Sequence, residues 1–250
     1  MVTDYGSTFG TVFTPKSREK AAKLRKESPP YDTVSLVATF SQTLAFIDKT
    51  RLHPNIWEAF ENGTVRILEN IAFLRLPANE YARSVLGNNY INADNEFQSF
   101  IVADDDPLLS ALVSLGHSPH YGVRSSNMTG QPEEFTIEGA LEYANAIKSP
   151  VLAITHPEKV TDQHARKRVR SQPILHISQY SLEITLVRMG STHPEALEII
   201  IKHLFPQASF IQQEEKKVEY RTQYHPLDEN IPLDAGSVRI ALLTAAGILR

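Results

Sequence analysis

With 250 residues, 42% of them hydrophobic, the chain can bury a substantial core in one main domain, with or without an appendage. Its 25 basic and 29 acidic side chains leave a net charge of −4, which offers no global attraction to nucleic acid or to an anionic membrane surface. There is no cysteine, so disulfides, thiolate nucleophiles and thiolate metal sites are excluded.

The first residues lack a charged-then-apolar leader pattern, and no apolar run is long enough to span a bilayer, so a cytoplasmic location and no membrane partner are expected. Residues 16–27 (KSREKAAKLRKE) are strong helix formers without an apolar stripe, ended by Pro29-Pro30. Their basic face is either solvated or turned to a ligand. Thr33 to Thr39 is β-branched and apolar, as in a buried strand, and helical patterns follow near 41–49 and 53–61. Residues 64–68 (TVRIL) and 71–76 (IAFLRL) read as strands.

Asp104, Asp105 and Asp106, then Pro107, then Leu108, Leu109, Leu112 and Leu115 before Gly116 make a fully punctuated helix. A second helical pattern covers 136–148, with Ile137, Ala140, Leu141, Ala144 and Ile147 on one face, and strand VLAIT (151–155) follows. After a basic loop at 162–172, ILHIS (174–178) and LEITLV (182–187) read as strands. Thr192 and Glu195 have the spacing of a capping box for a helix ending near Phe205.

Residues 206–232 are polar and proline-punctuated, which reads as loop, with one last apolar segment at 238–249. The expected organisation is an α/β domain over 1–205 and a loop-rich C-terminal extension over 206–250 packed on it. Alternation of strands and helices predicts a mixed sheet with flanking helices.

No Gly-Lys-Ser/Thr phosphate loop, G-x-G-x-x-G, H-E-x-x-H or G-x-S-x-G sequence occurs. His117 and His120 have no third ligand nearby and read as surface or loop histidines, so no metal site is expected. The stretch Arg124-Ser125-Ser126-Asn127-Met128-Thr129-Gly130 sets small hydrogen-bonding groups beside a glycine. That chemistry suits a turn first, and also a backbone that approaches a ligand closely.

The order DDDPLLSALVSLGHSP and then HYGVRSSNMTGQP is similar to the D-x-P-opened helix, its leucine-glycine end and the P-S-A-N-x-S-G motif of the YrdC-like family, of threonylcarbamoyl-adenylate synthase type. Ser171 before PILHI, and LVRMGS with Arg188 and Gly190, resemble the family's S-T strand and L-R-P-G element. The resemblance covers roughly residues 60–205 and reaches more weakly back to residue 3.

It implies a YrdC-like twisted mixed sheet with flanking helices. It also implies an enzyme that converts ATP with Mg, bicarbonate and L-threonine into threonylcarbamoyl-adenylate and pyrophosphate, for a tRNA adenosine modification. Carried over residue by residue, Ser125 and Asn127 would contact the nucleotide, with Arg188 near it. Ser171 would line the carboxylate and carbamate region. Lys23 and Arg25 lie where the family places a lysine and arginine on phosphate, though a solvated helix face explains them as well. Thr3 and Tyr5 belong to Thr3-Asp4-Tyr5-Gly6, which stands in for the threonine-holding P-T-D-T-V-Y-G-L segment, with the strand before it missing.

Other family elements are changed. The W-P-G-P-x-T stretch is Phe60-Glu61-Asn62-Gly63-Thr64-Val65, the R-x-P is Val102-Ala103-Asp104, and the proline before S-x-N is Arg124. These changes fall on the amino-acid pocket and the phosphate clamp, which leaves a small amine other than threonine as open as threonine itself. No catalytic side chain is implied.

A second reading is a relative without catalysis that binds nucleotide, double-stranded RNA or a protein. The cations Arg166, Lys167, Arg168 and Arg170 are either a solvated loop or a phosphate or RNA contact, and the acidic overall balance argues against tight RNA binding.

Overall fold

The structure, a computed structural model, describes residues 2–4, 9–14, 19–20, 23, 33–106, 109–110, 120–126, 137–149, 151–152, 172–188 and 194–213. Among them are ten strands: β1 (Val2–Asp4), β2 (Phe9–Phe13), β3 (Ser35–Thr39), β4 (Phe73–Pro77), β5 (Glu96–Val102), β6 (Tyr121–Ser125), β7 (Val151–Leu152), β8 (Ile174–Ile177), β9 (Glu183–Arg188) and β10 (Ser209–Gln212). They form one mixed sheet in the order β10-β9-β8-β4-β5-β3-β6-β2-β1-β7. The described helices are α1 (Phe40–Phe46), α2 (Pro54–Glu61), α3 (Glu80–Leu86), α4 (Ile137–Ala146) and α5 (Pro194–Leu204). The mixed α/β sheet with flanking helices is therefore the fold the sequence predicts. No helix among the described residues is long and apolar enough to cross a membrane.

Because side chains alternate along a strand, each strand sends every second residue to one face. Leu36 and Ala38, Leu74 and Leu76, Phe97 and Ile101, Leu175 and Ile177, and Ile184 and Leu186 meet in one core. Against them pack Phe46 of α1, Ile56 and Phe60 of α2, Ala82 and Leu86 of α3, and Leu197, Ile200 and Ile201 of α5. The intervening residues of the same strands face the other way, where Val37, Phe100, Val102 and Val123 form a smaller cluster with Leu109 and Phe73. That second face holds the polar residues described below.

Local chemistry explains the helix starts. Thr39 caps α1 with a reciprocal box, its hydroxyl accepting from the Gln42 N–H at 3.2 Å while Gln42 Oε1 accepts from the Thr39 N–H at 3.0 Å. Thr39→Ala should lower stability by about 1 kcal/mol in urea denaturation. Asp106 caps the helix that contains Leu109 and Ser110, its carboxylate accepting from the Leu109 N–H at 3.0 Å. The start of that helix thus falls on the third aspartate of the run; its expected continuation to Gly116 lies outside the described residues.

Two expectations are corrected. Residues 64–68 are not a strand but a 3₁₀ helix, Thr64–Leu68. Gly63 turns the chain at φ +77°, Asn62 Oδ1 accepts from the Thr64 N–H at 2.9 Å, and Val65 and Leu68, three residues apart, bury together. Turn chemistry and a three-residue period override the β-branched composition. Residues 209–212, expected as loop, form the strand β10. α5 returns the chain so that β10 runs parallel to β9, with Ser209 opposite Glu183 and Gln212 opposite Leu186.

Residues 2–4, expected only as a remnant ligand segment, are strand β1, antiparallel to β2. β2, β5 and β6 are further strands, and α3 a further helix, not expected from the sequence. Thr192 and the segments 153–155 and 214–250 lie outside the described residues.

Candidate functional site

Ser125 ends β6, and its position is set by pairing across the sheet. Thr3 of β1 lies opposite Gly10 of β2, and Gly10 lies opposite Ser125, so the three form one cross-strand row, with Leu152 of β7 next to Thr3. Glycine contributes no side chain at the middle of the row. The neighbouring residues are tied to the helical side. The buried Thr11 hydroxyl donates to Tyr143 Oη of α4 at 3.0 Å and shares a hydrogen bond of 3.2 Å with the buried Ser126 hydroxyl. Tyr143 packs with Ala140, Ala144 and Ile147. This anchoring of Ser126 fixes the end of β6 and with it Ser125, which is half-buried.

Arg188 reaches the second face by a register irregularity. Ile174 pairs with Arg188 while Leu175 pairs with Leu186, which skips one residue of β9. A bulge of this kind re-aims a side chain. Arg188 therefore leaves the side of Ile184 and Leu186, lies over the Phe73 ring at 5.8 Å, and donates to the Gln172 carbonyl at 2.7 Å. Five strand spacings separate β6 from β9, roughly 24 Å along the sheet. The structure thus brings Thr3 and Ser125 onto one row and does not set Arg188 beside them. Lys23 is exposed and paired with Glu19 one helical turn away at 2.7 Å, the solvated-face arrangement. Asn127, Ser171, Arg25, Tyr5, His117 and the cations at 166–170 lie outside the described residues.

His120 lies in the loop just before β6, as expected, but it is not a surface histidine. It is 9% exposed, its ring meets Phe46 edge-on at 5.1 Å, and burial pushes its pKa down, because the charged imidazole loses hydration. Among the described residues no group of three or more acidic or histidine side chains stands together to hold a metal.

The second face carries a polar row that single-residue reading of the sequence missed. Ser35 of β3 and Gln98 of β5, Arg75 of β4, His176 of β8 and Thr185 of β9 stand in register across five adjacent strands. Gln98 Nε2 donates to the Ser35 hydroxyl, and its Oε1 accepts from Arg75 at 3.5 Å. Beside the row sits Glu96, 4% exposed. Its Oε1 contacts His176 Nε2 at 2.9 Å and accepts from Gln179 Nε2 at 3.0 Å, while Oε2 accepts from Asn92 Nδ2 at 3.1 Å. Arg51 in turn donates to Gln179 Oε1 at 3.0 Å and to the carbonyls of Asn95 and Asp94 at 3.1 and 2.9 Å.

Burial alone would raise the Glu96 carboxyl, but hydrogen bonds from His176, Asn92 and Gln179 outweigh it and hold it at about 2. An ionised carboxylate has no proton to give, so His176 Nε2 is the donor and Nδ1 is left as the second site of the ring. The available signal was a lone polar residue inside an apolar strand: Arg75 between Leu74 and Leu76, and His176 between Leu175 and Ile177.

A wide mixed sheet, with one face closed by helices and polar groups ranged across the other, is here a YrdC-like α/β fold. Two solved structures of P. abyssi Sua5 share it. A doubly substituted variant superposes with a TM-score of 0.58 at 13% identity, over 85% of this chain and 57% of that one. The complex with L-threonine does so with a TM-score of 0.56 at 14% identity, over 84% and 54%. This chain therefore spans a little more than half the length of each Sua5 chain. No family model and no curated protein sequence matches it.

Proposed function

We propose that the chain binds ATP at the end of β6 and uses it to activate a carbamate, formed from bicarbonate and a small amine, as a carbamoyl-adenylate. The observation that carries this reading is the Thr3-Gly10-Ser125 row in a fold shared with Sua5, a protein seen in complex with L-threonine. In the reaction a carbamate oxygen bonds to the α-phosphorus as the bond to pyrophosphate breaks. Protein groups need only position the partners and stabilise oxyanions, so hydroxyls, amides and cations suffice without a covalent intermediate. Ser125 and Asn127 are the nucleotide contacts in this reading and Ser171 the carbamate contact. Thr3 and Tyr5 stand on the amine side, Lys23 and Arg25 reach phosphate, and magnesium arrives with the triphosphate. Threonine is one candidate amine among the amino acids.

Incubation with ATP, labelled bicarbonate and each amino acid in turn should release pyrophosphate and form a labelled adenylate with at least one of them. Calorimetry should show ATP binding that Ser125→Ala weakens about tenfold, the loss of one good polar contact. Absence of both ATP binding and pyrophosphate would falsify the proposal. The distance of Arg188 from Ser125 and the Lys23–Glu19 pair favour a second reading, a relative that binds nucleotide without turning it over. ATP binding without pyrophosphate release across all amino acids would select that reading.

A further inference from the structure

A cation on a sheet face is ordinarily matched by a carboxylate, because a half-dehydrated guanidinium loses hydration that some acceptor must replace. Arg75 lacks that match. It is half-buried in the middle of β4, makes no ion pair among the described residues, and has one long hydrogen bond, 3.5 Å to Gln98 Oε1. Most of its five N–H donors are therefore uncommitted. On the adjacent strand β8, in register with it, His176 is held through Nε2 by Glu96 and keeps Nδ1 for a further partner. The side chain is 28% exposed, so solvent and small solutes reach it.

The neighbouring groups do not fill the gap. Gln98 Nε2 is engaged by Ser35, Glu96 is saturated by His176, Gln179 and Asn92, and Glu183 on β9 accepts from Ser178 and Thr185 at 3.5 Å. We propose that Arg75 and His176 form an oxyanion-binding site on the second face of the sheet, taking a phosphoryl or carboxylate group of a small ligand between strands β4 and β8. Arg75 supplies a permanent charge and a planar fork of donors, and protonation at Nδ1 turns the imidazole into a second donor directed by its link to Glu96. The network from Arg51 through Gln179 to Glu96 holds that ring in place. The site shares no residue with the carbamoyl-adenylate reading, and β4 lies three strand spacings from the β6 strand that carries Ser125.

The test is nitrogen-15 NMR of the histidine rings in the full chain. His176 is assigned by the loss of its signals in His176→Gln. Inorganic phosphate and acetate are titrated separately. Saturable shifts confined to His176 are expected for at least one of them, with phosphate alone assigning a phosphoryl group and acetate a carboxylate. Arg75→Gln should weaken binding about tenfold or more, Arg75→Lys less, and His203→Gln on the exposed side of α5 not at all. If neither anion moves His176, if His53 and His203 move equally, or if Arg75→Gln binds as the native chain does, the site does not exist. Should Arg75→Gln fail to fold, selectivity among histidines in the native chain still decides. ATP binding lost in Ser125→Ala, with His176 unmoved by either anion, would leave the proposed function standing and remove this one.

Discussion

Glu96→Ala is expected to destabilise the protein by about 3–5 kcal/mol, the largest loss of any single polar substitution on the second face. The carboxylate is almost wholly buried and receives hydrogen bonds from three side chains. Its removal strands the His176 and Gln179 donors and loosens the Gln179 oxygen that Arg51 clamps. The same group should give the protein a specific acid response. Its folded value of about 2 lies below the ordinary glutamate value of 4.5, so its contribution is fully present above pH 4.5 and is lost as the pH falls toward 2. The difference corresponds to about 3 kcal/mol. Urea midpoints measured from neutral pH downward should fall through that window in the native chain and fall less steeply in Glu96→Gln. Equal slopes for the two proteins would exclude Glu96 as the source.

Gly122→Ala is the second large effect, expected to cost about 2–3 kcal/mol by overpacking, with Gly122→Val worse. A Cβ at this position would lie 2.7 Å from the Phe13 ring and 2.7 Å from the Tyr90 hydroxyl oxygen, and both neighbours are buried. Gly122 pairs with Phe13 on β2 and with Leu36 on β3, so the strain falls on the seam that joins the N-terminal strands to the rest of the sheet. Tyr90→Phe in the alanine background should recover part of the loss, since the hydroxyl contact disappears while the Tyr90 ring carbon at 3.0 Å and the Phe13 ring stay. No recovery in thermal or urea unfolding would place the strain on the Phe13 and Tyr90 rings and not on the hydroxyl.

Much of the fold is legible because apolar, branched runs such as LVAT, FLRL and ITLV dictate strands whatever their neighbours, and because the aspartate run ending at Asp106 marks a helix start by a local hydrogen bond. Thr39 and Asn79 cap α1 and α3 in the same way, but neither cap is expected from the sequence, and α3 is not expected at all. TVRIL shares that composition and became a 3₁₀ turn, since Asn62 and Gly63 close the chain before it can extend. β10 is four residues with Phe210 alone packed on the core, too short for a period to declare itself.

The candidate site is legible in part. Ser125 stands out through its motif, whereas Arg75, His176 and Glu96 are each one polar residue in an apolar strand. Their meeting depends on register between strands separated by 80 residues along the chain in the case of Glu96 and His176. The bulge that moves Arg188 to another face is a property of the β8–β9 pairing and has no signature in β9 alone.

The pairing of β2 with β6 also sets a timetable for folding. A growing chain exposes β1 and β2 well before β6, and the partner that Thr11 meets through Ser126 lies 115 residues later. Until that segment is synthesised, the hairpin has a bare edge ready to template on any passing strand. Contacts of such long span slow folding relative to local ones. The row that contains Ser125 is therefore assembled only after β6 has been made, and a chain cut before that strand has an N-terminal hairpin with nowhere to dock.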